Sequence, residues 1–401
     1  MGKESKKNTN IYNQLMERLS SELCLECQSC VVSCPYDSLE MAKNSPVLRG
    51  ECKNCGLCMT RCPQFFRNRK ESERIFKKEN NPGTLGSYKN AFSARSKAQK
   101  IFKSAQDGGT ITTILYNLLD DGFIDGAIVT GEGSEPWKPK GRLVTEKEDL
   151  LNYEGTIYSL SPIIQTLKEA SEKSKKRKLA IVGTPCQVQA LRRMEVGKEL
   201  SKKLISNIKL IIGLFCMESY PYEKVVDTVE KKLNLKIEDI TKFDIKKGKF
   251  IAETEKKKEK IPVKEMKPLM YSFCETCLDF SSKLADLSIG NVGAPENHNV
   301  ILSRTEIGED ALKIAKRQNL EIERLADNIK PGLSLTKKLS EKKKQNRLEE
   351  IKKRWKEDKP IPPKILNCPK CGEKLSKSYS KTYFCDFCKK YYTINQLLPE
   401  K

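Results

Sequence analysis

Short apolar runs alternate with amphipathic stretches from about residue 88 to residue 330. YKNAFSAR (88–95) and IDGAIVTG (124–131) read as strands, and TITTILYNLLDDG (110–122) has helical spacing and closes on Gly122. KLAIVGTP (178–185) and IKLIIGLFC (208–216) carry apolar runs with little alternation, the pattern of strands covered on both faces in a parallel sheet. Strand and helix in alternation predict an α/β central domain. From about 330 to 364 the chain turns to Lys and Glu, with Leu335, Leu339, Leu348, Ile351 and Trp355 at roughly helical spacing and prolines at the end. This predicts a solvated, charged helical linker with one packed stripe; a helix that docks nucleic acid or a partner is the alternative.

The 401 residues suffice for two to four domains with at least one substantial core. The longest apolar runs, such as LIIGLFCM (210–217), fall short of the roughly 18 residues that span a bilayer, and no apolar segment follows the charged start. No membrane span and a cytoplasmic protein are the expectation. Lys+Arg 75 against Asp+Glu 53 leaves a net charge of +22, which suits an acidic partner: nucleic acid, an anionic cofactor or an acidic redox protein.

Cysteine changes the picture most. There are 16, with a single histidine, His298, so chemistry built on Cys–His pairs or histidine-rich metal sites has little to draw on. In a large chain without a signal segment, cysteines grouped at ligand spacings point to metal rather than to disulfides. CLECQSCVVSCP gives Cys24, Cys27, Cys30 and Cys34; CKNCGLCMTRCP gives Cys52, Cys55, Cys58 and Cys62. Both follow C-x2-C-x2-C-x3-C-P, the spacing of two-cluster ferredoxins, in which the fourth cysteine of each run ligates the other cluster. By that crossing Cys24, Cys27, Cys30 and Cys62 hold one 4Fe–4S cluster and Cys52, Cys55, Cys58 and Cys34 the other. The block (1–80) is expected to be a ferredoxin-like α+β domain that passes single electrons, with a zinc module as the alternative.

Cys186, Cys216, Cys274 and Cys277 are scattered through the middle domain (81–330). Two of them follow strand-like runs, and would share the carboxyl edge of a parallel sheet if those strands run the same way. Four thiolates there can hold a third cluster; two buried free thiols and an unrelated CxxC give the same text. At the end of the chain, Cys368, Cys371, Cys385 and Cys388 form two CxxC knuckles, expected to close a structural zinc ribbon (365–401), with a rubredoxin-like iron as the alternative. Lys381, Lys389 and Lys390 lie beside it, but its aromatic residues serve equally as a small core, so a docking or stabilising appendage is expected and nucleic acid is not.

Several segments together resemble one known family. AQDGGTITTILYNLLDDGFIDGAIVT (105–130), VGTPCQVQALRR (182–193), GLFCMES (213–219), CETCLDF (274–280) and ADLSIGNVGAPENHNVILSRTEIG (285–308) are similar to the coenzyme F420 hydrogenase and dehydrogenase beta subunits, in the same order. With the ferredoxin block in front, the chain also resembles the input subunits of F420 dehydrogenases and the amino-terminal half of F420-dependent sulfite reductase. The resemblance implies FAD, hydride exchange with F420, and single-electron transfer to iron–sulfur clusters. It also implies a third 4Fe–4S cluster on Cys186, Cys216, Cys274 and Cys277. A flavin is the usual converter between two-electron hydride and one-electron steps.

For the flavin, Gln106, Asp107, Gly108, Gly109 and Thr110 are the first candidates, because glycines at a helix start let a pyrophosphate approach free N–H groups. Gly183, Thr184 and Pro185, and Gly290 and Asn291, come second. Asn291 stands where relatives commonly carry Asp. Arg304 and Thr305 are expected to meet phosphate or the acidic tail of F420. No nickel or sirohaem motif is present, so a partner redox protein or complex is expected to carry the terminal chemistry. Alternatives are a flavin reductase of the same fold acting on another substrate with ferredoxin, or a non-catalytic electron-transfer or nucleic-acid-associated iron–sulfur protein.

Overall fold

In a computed structural model of the chain, residues 10–66, 75–76, 83–173, 178–195, 200–325, 331–371, 373–377 and 382–398 are described. The domain boundaries expected at 80 and 330 fall outside these residues, as does Lys381.

The amino-terminal block is a helix α1 (Ile11–Arg18) followed by two cysteine-bearing turns. Each turn ends in a short helix, α2 (Ser29–Val32) and α3 (Leu57–Arg61), and between them lies a hairpin of β1 (Leu39–Ala42) and β2 (Ser45–Leu48). The duplication in the sequence is a duplication of backbone: Glu26 and Asn54, then Gln28 and Gly56, all take the left-handed conformation, 28 residues apart (54 − 26 and 56 − 28). That conformation folds each cysteine run back on itself, and three of the four residues adopt it at a steric cost.

The central unit is an eight-stranded mixed sheet. Its first strands are β3 (Asn90–Ser96), β4 (Gly126–Glu132), β5 (Pro139–Val144), β6 (Leu179–Gly183) and β7 (Ile208–Leu214). A separate three-stranded antiparallel sheet, β8 (Ile240–Lys246), β9 (Lys249–Thr254) and β10 (Lys258–Pro262), intervenes before β11 (Leu287–Gly290), β12 (Asn299–Ser303) and β13 (Leu320–Arg324) complete the large one. The order is β13-β3-β12-β11-β7-β6-β4-β5. The pairs β4/β6, β6/β7 and β7/β11 are parallel, and the flanking pairs are antiparallel.

Each central strand is apolar on both sides because both faces are covered. Ala127, Val129, Ala180, Leu210 and Ile212 face helices α4 (Thr110–Asp120) and α7 (Glu306–Arg317), while Ile128, Ile181 and Ile211 face α5 (Ile163–Lys173) and α6 (Pro185–Glu195). Fully buried isoleucines such as Ile128 and Ile211 contribute about 1.5–3 kcal/mol each relative to exposure. Helix α4 stops at Asp120, and Gly122 turns the chain at φ +72°.

The charged stretch forms a single helix, α8 (Gly332–Lys356), with residues such as Lys337, Lys338, Glu341 and Lys342 exposed and one packed stripe, as expected; the stripe is not the expected row of apolar residues throughout, since Leu335 and Leu339 are only half-buried. Thr336, Ser340, Lys343, Leu348, Ile351 and Arg354 are buried, and the helix lies across the edge of the central sheet. The carboxyl-terminal part is a small three-stranded sheet, β14 (Ser376–Lys377), β15 (Thr382–Cys385) and β16 (Lys390–Thr393), followed by a short helix, Ile394–Leu397. Among the described residues no helix is long and apolar enough to cross a membrane.

Candidate metal centres and cofactor site

The strands β6, β7 and β11 run parallel, so Gly183–Cys186, Leu214–Cys216 and Gly290–Asn291 emerge at one carboxyl edge. Strand β3 runs the same way, because it is antiparallel to β12, which is antiparallel to β11. The Gln106–Thr110 loop packs back on its end: Ser96 N–H donates to Gly108 O at 2.7 Å, and Thr110 Oγ1 to Ala94 O at 3.1 Å. The candidate residues of four segments therefore share one edge, where ligands of such sheets sit.

Cys186 lies in the first turn of α6. Thr184 caps that turn: its N–H donates to Gln187 Oε1 at 3.0 Å, the reach-back half of a capping box, and its hydroxyl lies 3.1 Å from Cys186 Sγ. Gly183, Thr184 and Pro185 thus present Cys186, and this loop's Thr184 N–H is already engaged. Burial pushes the Cys186 thiol up, with Cys277 and Cys216 adding to it; Cys216 and Cys274 are raised in the same way, and Lys343 opposes the shift in both. The structure therefore brings Cys186, Cys216, Cys274 and Cys277 together. Thiols grouped in this way can share one metal centre, whose binding displaces their protons.

The amino-terminal cysteines sort into two groups. Burial raises Cys30, and the charges acting on it are first Cys24, Cys27 and Cys62, then Cys58. Burial raises Cys58 to about 11, and the thiols acting on it are Cys52, Cys55 and Cys34. One cavity is lined by Cys34, Cys52, Cys55 and Cys58 with Tyr12, Tyr36 and Leu48. The last cysteine of each run thus sits with the first three of the other. The first group adjoins the sheet edge, since Cys27 packs against the cluster of Leu25, Cys186, Phe273 and Cys274.

The carboxyl-terminal four differ in scale. Among the described residues they are the one group whose thiols all lie within 4.8 Å of each other, with Cys371 and Cys385 at 3.5 Å and Cys368 and Cys388 at 3.9 Å. Four sulfurs about 2.3 Å from one ion in a tetrahedron have nearly these separations, so the set fits a single metal. A multi-iron cube holds its thiolates further apart. Burial works against Cys368, yet the Tyr392 hydroxyl and the N–H groups of Cys371 and Lys370 pull it below the ordinary thiol value, while Cys371 and Cys388 stand above it.

On the Gln106–Thr110 turn, Gln106 has both side-chain amide atoms buried with no protein partner. Gly108 leaves no room for a Cβ, which would lie 2.9 Å from both Ala94 O and Asn299 Oδ1, and Gly109 takes φ +67° before α4. Asp107 Oδ2 accepts from Asn291 Nδ2 at 3.0 Å and its other oxygen lies 3.6 Å from Lys246 Nζ; burial pushes this carboxyl up while Lys246 pulls it back. Gly290 has a different role from its neighbour: a Cβ there would strike the Phe215 ring at 2.3 Å.

Arg304 and Thr305 depart from expectation. Arg304 is 2% exposed, and all three of its nitrogens donate inside the protein, to Ser288 Oγ, Ser87 O, Leu85 O and Ser281 O. Thr305 caps α7 by accepting from Gly308 N–H and donates to Asp286 Oδ1 at 2.8 Å. Neither presents a free donor to a phosphate, and both hold the approach to β11.

Sequence reasoning missed two sets of residues. Lys242, Asp244 and Lys246 on β8 reach over the Gln106–Asp107 turn, Lys242 donating to Ala105 O and Gln106 O. Their period of two was the available signal. Lys343 of α8 donates to Cys216 O and Asp279 O at the middle cysteine site, and nothing in its lysine-rich context marks it out.

A sheet edge that carries four grouped thiols and a turn with an unpartnered amide, with the amino-terminal cysteines joined to it through Cys27, suits an oxidoreductase. The chain belongs to the family of coenzyme F420 hydrogenase/dehydrogenase beta subunits: the model of the family's N-terminal part matches residues 91–168 and that of its C terminus residues 176–328. The beta subunit of coenzyme F420 hydrogenase from Methanosarcina barkeri is 37% identical over 260 residues, covering 65% of this chain and 89% of that protein. A subunit of the F(420)H(2) dehydrogenase from Methanosarcina mazei is 31% identical over 362 residues, covering 86% and 96%. Coenzyme F420-dependent sulfite reductase of Methanocaldococcus jannaschii is 34% identical over 329 residues, covering 78% of this chain and 50% of that enzyme. A chain in a xenon-derivatised structure of the F420-reducing [NiFe] hydrogenase complex from Methanosarcina barkeri superposes with a TM-score of 0.66 at 35% identity, covering 69% of this chain and 97% of that one.

Proposed function

We propose that the protein exchanges hydride with coenzyme F420 at a bound FAD and passes electrons through three 4Fe–4S clusters to or from a partner protein or complex. The observation that carries this is the shared carboxyl edge of the sheet: Cys186 and Cys216 follow β6 and β7, and the Gln106 turn, whose side-chain amide has no protein partner, packs on the end of β3. FAD supplies the conversion between two-electron and one-electron chemistry, and the clusters supply the relay.

The chain's own residues bind and orient. Gln106 would complete its amide on the cofactor, Gly108 and Gly109 let the turn pack against the end of β3 and start α4, and Asp107 with Asn291 fixes the turn. Lys242 and Lys246 bring two ammonium groups over the turn, where Lys246 is matched by Asp107 and Asp244 and Lys242 bonds Ala105 O and Gln106 O. Cys186, Cys216, Cys274 and Cys277 would hold the middle cluster. Cys24, Cys27, Cys30 and Cys62 would hold the next, and Cys52, Cys55, Cys58 and Cys34 the outermost. Cys368, Cys371, Cys385 and Cys388 would hold zinc, in a stabilising ribbon.

The test is anaerobic stopped flow: FAD-reconstituted protein mixed with reduced F420, with flavin bleaching and deazaflavin fluorescence followed together. Coupled changes at a rate fit for turnover support the reading. Bound, dithionite-reducible flavin that F420 leaves oxidised overturns F420 as the substrate.

A further inference from the structure

Helix α8 carries a buried cation onto the middle cysteine site. Lys343 is 2% exposed, and its ammonium donates to the backbone carbonyls of Cys216 at 2.7 Å and Asp279 at 2.8 Å. Two carbonyls satisfy donors but do not balance a charge, and lysines are almost never this deeply buried without a paired anion.

The groups around it narrow what that anion is. The Asp279 carboxylate is turned elsewhere, accepting from Lys283 N–H and from Gln189 Nε2. Glu218 is held by Arg347 of the same helix at 2.9 Å. The opposing charges that act most strongly on Lys343 are Cys277, Cys216 and Cys274, ahead of Asp279. Lys283 and Lys364 are the other cations in reach of Cys277, so the site is positive on several sides. The matched family region ends at residue 328 and α8 begins at Gly332, so this cation comes from a segment outside the family's matched region.

We propose that Lys343 is a positioning residue of the middle centre: its fixed charge stabilises the reduced, more negative state of a cluster on Cys186, Cys216, Cys274 and Cys277 and so raises that cluster's one-electron potential. This rests on the cluster assignment above. The step is the gain of one electron from a one-electron reductant, with no bond made or broken and no proton moved. Net charge and hydrogen bonding around a cluster are what set its potential, and a unit charge in a low-dielectric site acts strongly over a few ångströms.

The test is an anaerobic potentiometric titration of the full holoprotein with dithionite, followed by electron paramagnetic resonance, in wild type, Lys343→Met and Lys343→Arg. In Lys343→Met the middle cluster's reduction equilibrium constant falls at least tenfold, which is 59 mV for a one-electron couple. The two amino-terminal clusters keep their potentials, and Lys343→Arg restores most of the shift. An unchanged middle potential in Lys343→Met overturns the proposal, as does a Lys343→Arg shift as large as that of Lys343→Met, which would make packing the cause. If Lys343→Met does not assemble the cluster, Lys343→Gln, which keeps an amide donor for the two carbonyls, carries the same comparison. Wild-type protein with only two cluster signals overturns the cluster assignment itself, an outcome distinct from three signals and no shift.

Discussion

Asp286 ties three segments of the site's frame together. Its carboxylate accepts from Arg192 Nη2 at 2.9 Å, Thr305 Oγ1 at 2.8 Å and Ile211 N–H at 2.8 Å, joining α6, the start of α7 and β7 just before β11. Removing one partner of a buried pair leaves the other charged and unmatched, which costs about 3–5 kcal/mol. Asp286→Ala is therefore expected to destabilise the fold near the lower end of that range, because Glu195 still holds Arg192 Nη1 at 2.8 Å. Anaerobic urea unfolding measures it, and a loss below about 1 kcal/mol, the level of an exposed pair, would refute the tie. The cysteines allow a sharper test at the same scale. Cys34→Ser should remove the same paramagnetic signal as Cys58→Ser, and Cys62→Ser the other amino-terminal signal. If Cys34→Ser instead matches Cys30→Ser, the crossing of the two runs is wrong.

Among elements, α8 depends on one glycine outside itself. Gly293 has φ +99°, and a Cβ there would meet Thr336 Oγ1 at 2.2 Å and Gly332 O at 2.7 Å, both in the first turns of the helix. Gly293→Ala is expected to lift this end of α8, raising amide hydrogen exchange across 333–344 and lowering the middle cluster's potential in the direction of Lys343→Met. Unchanged exchange would show that α8 is anchored without this contact. The same helix shows where reading the sequence succeeds and where it stops. β6, β7 and α4 were legible because burial on both sheet faces, or on one helix face, writes itself as hydrophobicity. The docked face of α8 does not, since Thr336, Ser340, Lys343 and Arg347 meet backbone carbonyls and Glu218. Polar side chains that bond to the protein look the same in sequence as polar side chains that bond to water. Arg304 misled for the same reason, as its phosphate-like partners are carbonyls of its own fold. The cysteine runs at the two ends of the chain were legible because their spacing is local; the middle four, scattered over 186–277, were joined only by the sheet edge and the family resemblance, and Lys242 and Lys246 reach the Gln106–Asp107 turn only through the placement of a second sheet.

For the whole molecule, the carboxyl-terminal segment works as a clasp between the central sheet and the amino-terminal block. Arg354 bonds Glu22 at 3.1 Å on one side and Glu275 on the other, Lys364 N–H donates to Gln64 O at 2.8 Å, and Asn367 Nδ2 donates to Phe65 O at 2.7 Å. Lys364 lies in electrostatic reach of Cys62, Cys186 and Cys277, at the junction where the middle site meets the first amino-terminal group. The clasp closes on the Cys368–Cys388 module, whose Tyr383 hydroxyl receives Trp355 Nε1–H at 2.8 Å. A metal there would hold in place a module whose buried core is only a few side chains, and small units of that size depend on such a ligand. Cys385→Ser is therefore expected to abolish zinc binding and to raise hydrogen exchange in two places at once, 364–375 in the module and 62–66 in the amino-terminal block. Exchange near Cys52 and Cys55, which the clasp does not touch, should stay as it was. Zinc content by atomic emission and exchange by mass spectrometry read both halves of the prediction. Metal loss with 62–66 still protected would mean that Arg354 and Lys364 alone close the junction and that the metal serves only the module itself.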